Sequence, residues 1–103
     1  MRYIFVYITI PTKKEAEKIA KHLLKKHLIA CANIFPVGSF YWWKNEIEKS
    51  REFVLIGKTV EKNYARIAGE VEKIHSYSTP CVVKLPAEFN KNFGRWLIGE
   101  INR

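Results

Sequence analysis

Imidazole, thiol and carboxylate side chains are the groups in this 103-residue chain that could carry chemistry, and they are few. All ten acidic residues are glutamates, which excludes aspartate-based phosphoryl transfer and Asp-rich Ca²⁺ loops. His22 and His27 lie on a lysine-rich segment and are predicted to face solvent. His75 follows a predicted helix, where a protonated imidazole would interact favourably with the helix dipole.

Cys31 and Cys81 are the two cysteines, and they do not form a C-x-x-C pair. They fall on predicted edge strands three strand spacings apart. At about 4.8 Å per spacing the separation is roughly 14 Å, too far for a disulfide within one chain. We expect both to be small, buried hydrophobic residues.

The N-terminal apolar run Tyr3–Ile10 lacks the small-residue cleavage site of a signal peptide. No apolar stretch approaches the roughly 18 residues that cross a bilayer. Together with the missing disulfide framework, these features predict a cytoplasmic protein with no membrane partner.

Two features could suggest a phosphate or nucleic-acid ligand. Gly57-Lys58-Thr59 resembles the end of a phosphate-binding loop, but Glu52 stands where that motif requires a glycine. The formal net charge of +8 would permit weak, salt-sensitive contact with nucleic acid. The lysines lie mostly on the first predicted helix, and residues 51–55 lack the aromatic pattern of RNA-binding sheets. We therefore expect no specific nucleic-acid partner.

Hydrophobic periodicity predicts four strands and three helices. The strands are predicted at residues 3–10, 29–43, 46–59 and 80–85, and the helices at residues 12–27, 64–74 and 90–101. Thr12 and Glu15 form a capping box at the start of the first helix. Asn90 is expected to cap the last helix, and Pro86 to end the fourth strand.

The order β-α-β-β-α-β with an extra C-terminal helix predicts an α+β, ferredoxin-like sandwich that forms one domain over residues 1–103. In this arrangement strands one and three are central, and strands two and four are edges. Pro36 and Pro86 agree with it, because a missing N–H group is tolerated on an edge strand.

The predicted hairpin of strands two and three is longer than its own domain can cover. Fifteen residues span about 50 Å at ~3.3 Å each, whereas the first helix covers about 24 Å. Lys44-Asn45 is the predicted turn, because Asn tolerates a left-handed backbone. Residues 40–43 (Phe-Tyr-Trp-Trp) place two large aromatic side chains on each face of the tip. Covering one such face is worth roughly 10 kcal/mol of gross transfer energy, so we expect copies of the chain to associate.

Several segments match a known family: Thr9-Ile10-Pro11, residues 28–34 (Leu-Ile-Ala-Cys-Ala-Asn-Ile), residues 39–43 (Ser-Phe-Tyr-Trp-Trp), Ile47-Glu48, Lys58-Thr59, residues 75–80 (His-Ser-Tyr-Ser-Thr-Pro) and Trp96-Leu97. The Ala-Cys-Ala-Asn and Tyr-Trp-Trp segments are the most specific. On these residues the chain resembles CutA, the divalent-cation-tolerance proteins, over essentially its whole length.

The resemblance implies a ferredoxin-like fold, a homotrimer held through the long hairpins, a link to divalent metals and especially copper, and no enzymatic reaction. It places a metal ligand at His75. It also implies a ligand cleft between subunits, for which the candidate residues are Trp43, Glu48, Lys58 and Tyr77. No cofactor is expected to be needed for folding.

The chain departs from the family pattern at three places. Ile8 stands where some relatives carry a copper-linked cysteine. The usual His-Pro-Tyr-Glu appears as residues 75–78, His-Ser-Tyr-Ser, and Ile74 precedes His75 where relatives can have a second histidine.

Four function classes remain open on the sequence alone. The leading one is a trimeric binding protein that responds to a divalent metal or senses a small ligand in the manner of PII-like proteins. The others are a basic nucleic-acid-binding ferredoxin-like module, an acylphosphatase-like enzyme, and a structural oligomer. The enzyme would need an arginine-bearing loop after the first strand, which residues 11–14 (Pro-Thr-Lys-Lys) do not supply.

Overall fold

The computed structural model describes residues 2–103, which form a four-stranded sheet and three α-helices. In chain order the elements are β1 (Tyr3–Ile10), α1 (Lys13–Lys25), β2 (Cys31–Trp43), β3 (Glu46–Val60), α2 (Tyr64–Ile74), β4 (Val82–Ala87) and α3 (Lys91–Ile101), with a 3₁₀ turn at Glu61–Asn63 before α2. No helix among these residues is long and apolar enough to cross a membrane.

The sheet has the strand order β2-β3-β1-β4, and each neighbouring pair is antiparallel. The predicted ferredoxin-like topology is therefore confirmed, with β1 and β3 central and β2 and β4 at the edges. Both prolines in the sheet lie on these edge strands: Pro36 is opposite Phe53, and Pro86 is opposite Ile4. Pro86 was expected to end β4, but the strand continues through it to Ala87 because an edge strand can lose one N–H donor.

One face of the sheet carries the main hydrophobic core. Alternate residues of β1 (Ile4, Val6, Ile8 and Ile10) are almost fully buried against α1 and α2. The intervening residues of β1 point to the opposite face and are only half-buried. This alternation follows from the two-residue period of a strand, and it leaves the second face of the sheet only partly covered.

One of the two hydrogen bonds of the predicted capping box forms at the start of α1. The Thr12 hydroxyl accepts a hydrogen bond from the Glu15 backbone N–H at 3.1 Å, as expected for an N-cap. The Glu15 carboxylate does not return to Thr12; it binds Ser76 in the loop after α2. Asn90 is the N-cap residue of α3, as predicted, but its side chain makes no capping hydrogen bond.

The β2–β3 hairpin projects from the domain, whose extents are 45 × 24 × 21 Å. Its turn is Lys44-Asn45, and both residues have a positive φ (51° and 65°), which confirms the predicted tight turn. The register pairs Tyr41 with Glu48 and Trp42 with Ile47. The two faces of the tip therefore carry Tyr41 with Trp43 and Phe40 with Trp42, as the alternation predicted.

The C-terminal helix α3 covers one end of the second sheet face. Leu97 and Ile101 pack there with Ala30 and Val60, and Tyr3 lies against the same cluster. The close approach of Tyr3 requires a glycine in α3, because a Cβ at Gly94 would lie 2.6 Å from the Tyr3 hydroxyl oxygen.

Two glycines of α3 should respond oppositely to substitution by alanine. At Gly99 a Cβ would have no neighbour within 4 Å, so Gly99→Ala should raise the free energy of unfolding by about 1 kcal/mol through helix propensity. Gly94→Ala should lower it, because the new methyl group would displace the Tyr3 ring. Thermal unfolding of the two variants tests this difference, and equal stabilisation by both would contradict the described packing of Tyr3.

Candidate functional site

The loop from His75 to Cys81 connects α2 to β4 and is fixed by a carboxylate from α1. The two Glu15 oxygens accept hydrogen bonds from the Ser76 backbone N–H at 2.9 Å and from the Ser76 hydroxyl at 2.7 Å. The Glu15 backbone N–H donates to the Thr12 hydroxyl in the first turn of α1. The contact of the Glu15 side chain with Ser76 therefore holds the loop against the N-terminus of that helix. This contact depends on Ser76, because a proline at this position would have no N–H to donate.

His75 is buried, with 8% of its surface exposed, and both of its ring nitrogens are hydrogen-bonded. Nε2 donates to the Thr9 carbonyl at 2.9 Å, and Nδ1 accepts from the Tyr77 backbone N–H at 3.0 Å. His75 is the C-cap residue of α2, and a Glu15 carboxylate oxygen lies 3.7 Å from its Nδ1. Neither nitrogen has a free lone pair, so His75 in this conformation is not available as a metal ligand; it positions Tyr77.

Tyr77 reaches from this loop to β3. Its hydroxyl donates a 2.6 Å hydrogen bond to a carboxylate oxygen of Glu52, a residue that is only 5% exposed. Burial raises the pKa of Tyr77 above its ordinary value, and the hydrogen bond to the Glu52 carboxylate raises it further. Tyr77 therefore stays protonated and serves as a donor throughout the physiological pH range.

A groove of about 880 Å³ lies between this loop and the projecting hairpin. Its lining contains three of the predicted cleft residues, Trp43, Glu48 and Tyr77, together with Glu52. The remaining lining residues are Thr9, Ser39, Phe40, Tyr41, Trp42, Ser76, Ser78, Thr79 and Cys81. Aromatic surfaces, hydroxyl groups and two carboxylates thus meet in one open cavity.

Lys58 is the predicted cleft residue that the structure places elsewhere. It lies opposite Phe5 and Cys31, and its ammonium group is 5.4 Å from the centre of the Phe93 ring on α3. Lys58 is six residues along β3 from Glu52, or about 20 Å at ~3.3 Å per residue. Lys58 therefore lies outside this groove of the single chain, at the far end of the strand, and its place in a cleft between subunits stays a prediction.

The donor groups of a single chain do not fit a resident metal ion. Within residues 2–103, no three His, Cys or Glu side chains are placed to hold one metal. Cys31 and Cys81 are both free thiols; Cys31 is half-buried and Cys81 is exposed. The expectation that both would be buried was wrong for the single chain, because Cys81 precedes β4 and faces the groove.

The other two histidines lie apart from the groove. His22 was expected to be solvated, but its Nε2 is 2.7 Å from a Glu70 carboxylate oxygen and links α1 to α2. This hydrogen bond lowers the pKa of Glu70, and nearby Lys26 and Lys73 lower it further. His27 is exposed as predicted, and its ring bonds the Glu100 backbone carbonyl at 2.8 Å.

Fold and site together define a small ferredoxin-like α+β protein with a projecting hairpin and an acidic, aromatic groove at its base. The chain belongs to the CutA family: the family model described as CutA1 divalent ion tolerance protein matches residues 4–100. It is therefore a member of a family of divalent-cation tolerance proteins, which is not a known family of enzymes.

Two relatives match this chain in sequence over most of its length. A divalent-cation tolerance protein CutA of Archaeoglobus fulgidus is 49% identical over 94 residues, which is 90% of this chain and 92% of that protein. One of Pyrococcus horikoshii is 37% identical over 101 residues, covering 97% and 99% of the two chains.

Solved structures show the same fold. The structure of a periplasmic divalent cation tolerance protein CutA from Archaeoglobus fulgidus has a TM-score of 0.93 at 46% identity, covering 96% of this chain and 98% of the other. CutA1 from Oryza sativa also has a TM-score of 0.93, at 32% identity, and the match covers 97% of this chain and 94% of the other.

Two parts of the site were not anticipated from the sequence. Glu52 was noted only as the residue that breaks a phosphate-loop motif, and Glu15 only as part of a capping box. The strand period could have placed Glu48 and Glu52 on one face, since they are four residues apart. The contact of Glu15 with Ser76 had no such signal, because it joins residues 61 positions apart.

Removing the Tyr77 hydroxyl should destabilise the protein. Tyr77→Phe leaves the buried Glu52 carboxylate without its donor, and we expect a loss of about 1.5–3 kcal/mol in the free energy of unfolding at pH 7. Urea unfolding at a fixed protein concentration measures the loss. Tyr7→Phe is a suitable control, since none of the side-chain hydrogen bonds found among residues 2–103 involves the Tyr7 hydroxyl.

The same variant should change stability at alkaline pH. Because the folded-state pKa of Tyr77 is raised, its contribution is complete below the ordinary tyrosine pKa of about 10 and is lost as the pH rises above that value. The difference in the free energy of unfolding between wild type and Tyr77→Phe should therefore decrease above about pH 10. A difference that stays constant to pH 12 would contradict the proposed donor role.

Proposed function

We propose that this protein is a homotrimeric, non-enzymatic member of its family that acts in divalent-cation tolerance, copper included, by binding its ligand where the groove of one copy meets a neighbouring copy. The observation that carries the proposal is the meeting of Trp43, Glu48 and Tyr77 in one groove at the base of an uncovered hairpin.

Association is supported by the apolar surface of the hairpin. Phe40 is 70% exposed, Trp42 is 71% exposed and Ile47 is 64% exposed, and they lie together on one face of the tip. Each large aromatic side chain can bury about 150–250 Å². A contiguous apolar surface of this size is rare on a soluble monomer and is typical of an interface.

A second apolar surface supports the same conclusion. On the sheet face opposite α1 and α2, the side chains of Phe35, Val83 and Leu85 are exposed. The strands that carry them, β2 and β4, also have unpaired outer edges. Burying this face and these edges against other copies would satisfy both the apolar side chains and the free backbone groups.

The groove supports a site that is completed by more than one copy. One chain brings two carboxylates and a thiol to the cavity, which is too few well-placed ligands for a tightly held metal. A divalent cation bound there would need further ligands from a neighbour. A shared site of this kind joins cation binding to assembly.

The first test is the oligomeric state. Light scattering after size exclusion at about 10 µM should give three times the mass of the chain. Trp42→Ala should increase dissociation on dilution, because it removes about 200 Å² of apolar contact surface. Leu24→Ala, an exposed position on α1, is the matched control and should leave the mass unchanged. A monomeric wild-type protein would overturn the proposal.

The second test is cation binding by the assembled protein. Titration calorimetry with Cu²⁺ should show binding that Glu48→Gln weakens about tenfold or more, since a lost carboxylate ligand or counter-charge is typically worth over 1 kcal/mol. Glu17→Gln, on the exposed face of α1, should bind as wild type does. His75→Ala tests the residue first predicted as a ligand.

Cu²⁺ binding that is identical in wild type and Glu48→Gln would remove the groove from the proposal. Binding that is lost in His75→Ala, while the protein remains trimeric and folded by circular dichroism, would show that the His75 ring exchanges a hydrogen bond for the metal.

A further inference from the structure

The outer side of α1 carries a row of lysines that runs along the helix axis. At 3.6 residues per turn, positions 14, 18, 21 and 25 lie within about 60° of one another around that axis. The buried residues of α1 lie on the opposite side and pack against the sheet. The four outer positions are all exposed, and we call them the lysine row: Lys14, Lys18, Lys21 and Lys25.

The charges of the lysine row have no ionic partner within the chain. Seven salt bridges occur among residues 2–103, and none of them involves a residue of the row. The glutamates of α1 do not neutralise it, because the Glu15 carboxylate binds Ser76 and the exposed Glu17 forms no salt bridge in that part of the chain. The four ammonium groups are therefore available to a second molecule.

The row is an unfavourable arrangement for the helix itself. Lys14 and Lys18 are four residues apart, as are Lys21 and Lys25, and like charges at this spacing repel each other on a helix surface. Lys14 also lies in the first turn of α1, where the helix dipole disfavours a positive charge. Binding of a polyanion along the row would relieve both effects.

The length of the row favours an extended ligand over a small anion. From Lys14 to Lys25 the helix rises by about 16 Å, at 1.5 Å per residue. Each strand of B-DNA carries one phosphate per ~3.4 Å of axis, so several phosphates of a duplex fall within this length. Surfaces that bind single strands add aromatic side chains on which bases stack. The lysine row contains no aromatic residue, which favours a duplex.

A lipid surface fits the helix less well than a nucleic acid does. A helix that lies on a membrane places its apolar face in the lipid. In α1 the apolar residues are instead buried in the core, apart from Leu24, which is 36% exposed. The basic side of this helix therefore has no apolar face free to accompany it into a membrane.

We propose that the lysine row is a contact surface for the phosphate backbone of a nucleic-acid duplex, which it binds without regard to base sequence. The row has ammonium groups only and no side chain of the kinds that read base edges most specifically, so charge alone determines the contact.

This inference goes beyond the proposed function and does not depend on it. The helices α1 and α2 pack on one face of the sheet, whereas the proposed association covers the hairpin and the opposite face. The lysine row thus lies apart from both the groove and the proposed interface, and it remains exposed when copies associate.

The test is the salt dependence of duplex binding by the full chain. Fluorescence anisotropy of a labelled duplex of about 30 base pairs, followed from about 50 mM to about 200 mM salt, gives the slope of log K against log salt. Each neutralised phosphate contributes about −0.9, so one row of four lysines predicts a slope of about −3.6. The dissociation constant should lie below about 100 µM at the lowest salt, and a duplex of unrelated sequence should bind within about threefold of it.

Substitutions within the row should change this slope in proportion to the charges removed. Lys14→Gln with Lys18→Gln should reduce its magnitude by about 1.8, and replacing all four lysines by glutamine should abolish most of the binding. Glutamine has a helix propensity close to that of lysine, so these variants should keep the circular dichroism of wild type.

The matched control removes two charges from a different helix. Lys91→Gln with Arg95→Gln changes exposed residues of α3 that form no salt bridge among residues 2–103. Its slope should stay within about 0.5 of the wild-type value.

Wild-type protein that does not bind the duplex at the lowest salt would overturn the inference. Equal losses in the Lys14–Lys18 variant and in the α3 control would do so as well, because only net charge would then matter. Binding to vesicles of phosphatidylserine and phosphatidylcholine, without binding to the duplex, would assign the row to a lipid surface instead. None of these results bears on the Cu²⁺ titration, so the two proposals fail separately.

Discussion

The structure depends on one strand, β3, whose side chains must alternate without a slip over fifteen residues. Its C-terminal half is paired on both sides, to β1 and to β2, and is buried in the sheet. Its N-terminal half is paired to β2 alone and extends beyond the helices. Because one register governs both halves, the buried pairing of Leu55 with Ile8 on β1 also decides which face of the arm Glu48 and Lys49 occupy. A shift by one residue would exchange the two faces of the arm and expose the core.

The groove at the base of the arm is held by polar contacts that reach across the domain. Glu15 on α1 binds Ser76, His75 binds Thr9 and Tyr77, and Tyr77 binds Glu52 on β3. These bonds tie a seven-residue loop to three separate elements. The loop therefore has a defined position beside the hairpin, although it has no regular structure of its own. A satisfied network of this kind is rigid, since each buried polar group would be costly to leave unpaired.

Membership of the CutA family fits the way in which this small chain uses its aromatic side chains. Placed in a core, four adjacent aromatic residues would stabilise a monomer; on the projecting arm of this chain, all four are exposed. The family's connection with divalent cations agrees with a groove that contains carboxylates and a thiol but too few ligands from one chain to hold a metal. The proposed function assigns the site to the junction between copies, where a neighbour would supply the ligands that one chain lacks.

The sequence by itself determined the elements and their order. Strand and helix periods, the prolines on edge strands, the Lys44-Asn45 turn and the excess length of the hairpin are local properties, and local sterics and hydrophobic alternation decide them. The tertiary structure alone decided which distant groups meet. In the folded chain Lys58 lies beside Phe93 of α3, and His75 is buried with both ring nitrogens hydrogen-bonded. The Glu15 carboxylate binds Ser76 instead of its own helix, and Cys81 is exposed. A side chain with several possible partners contacts the one that packing brings close to it, and which partner that is depends on the fold of the whole chain.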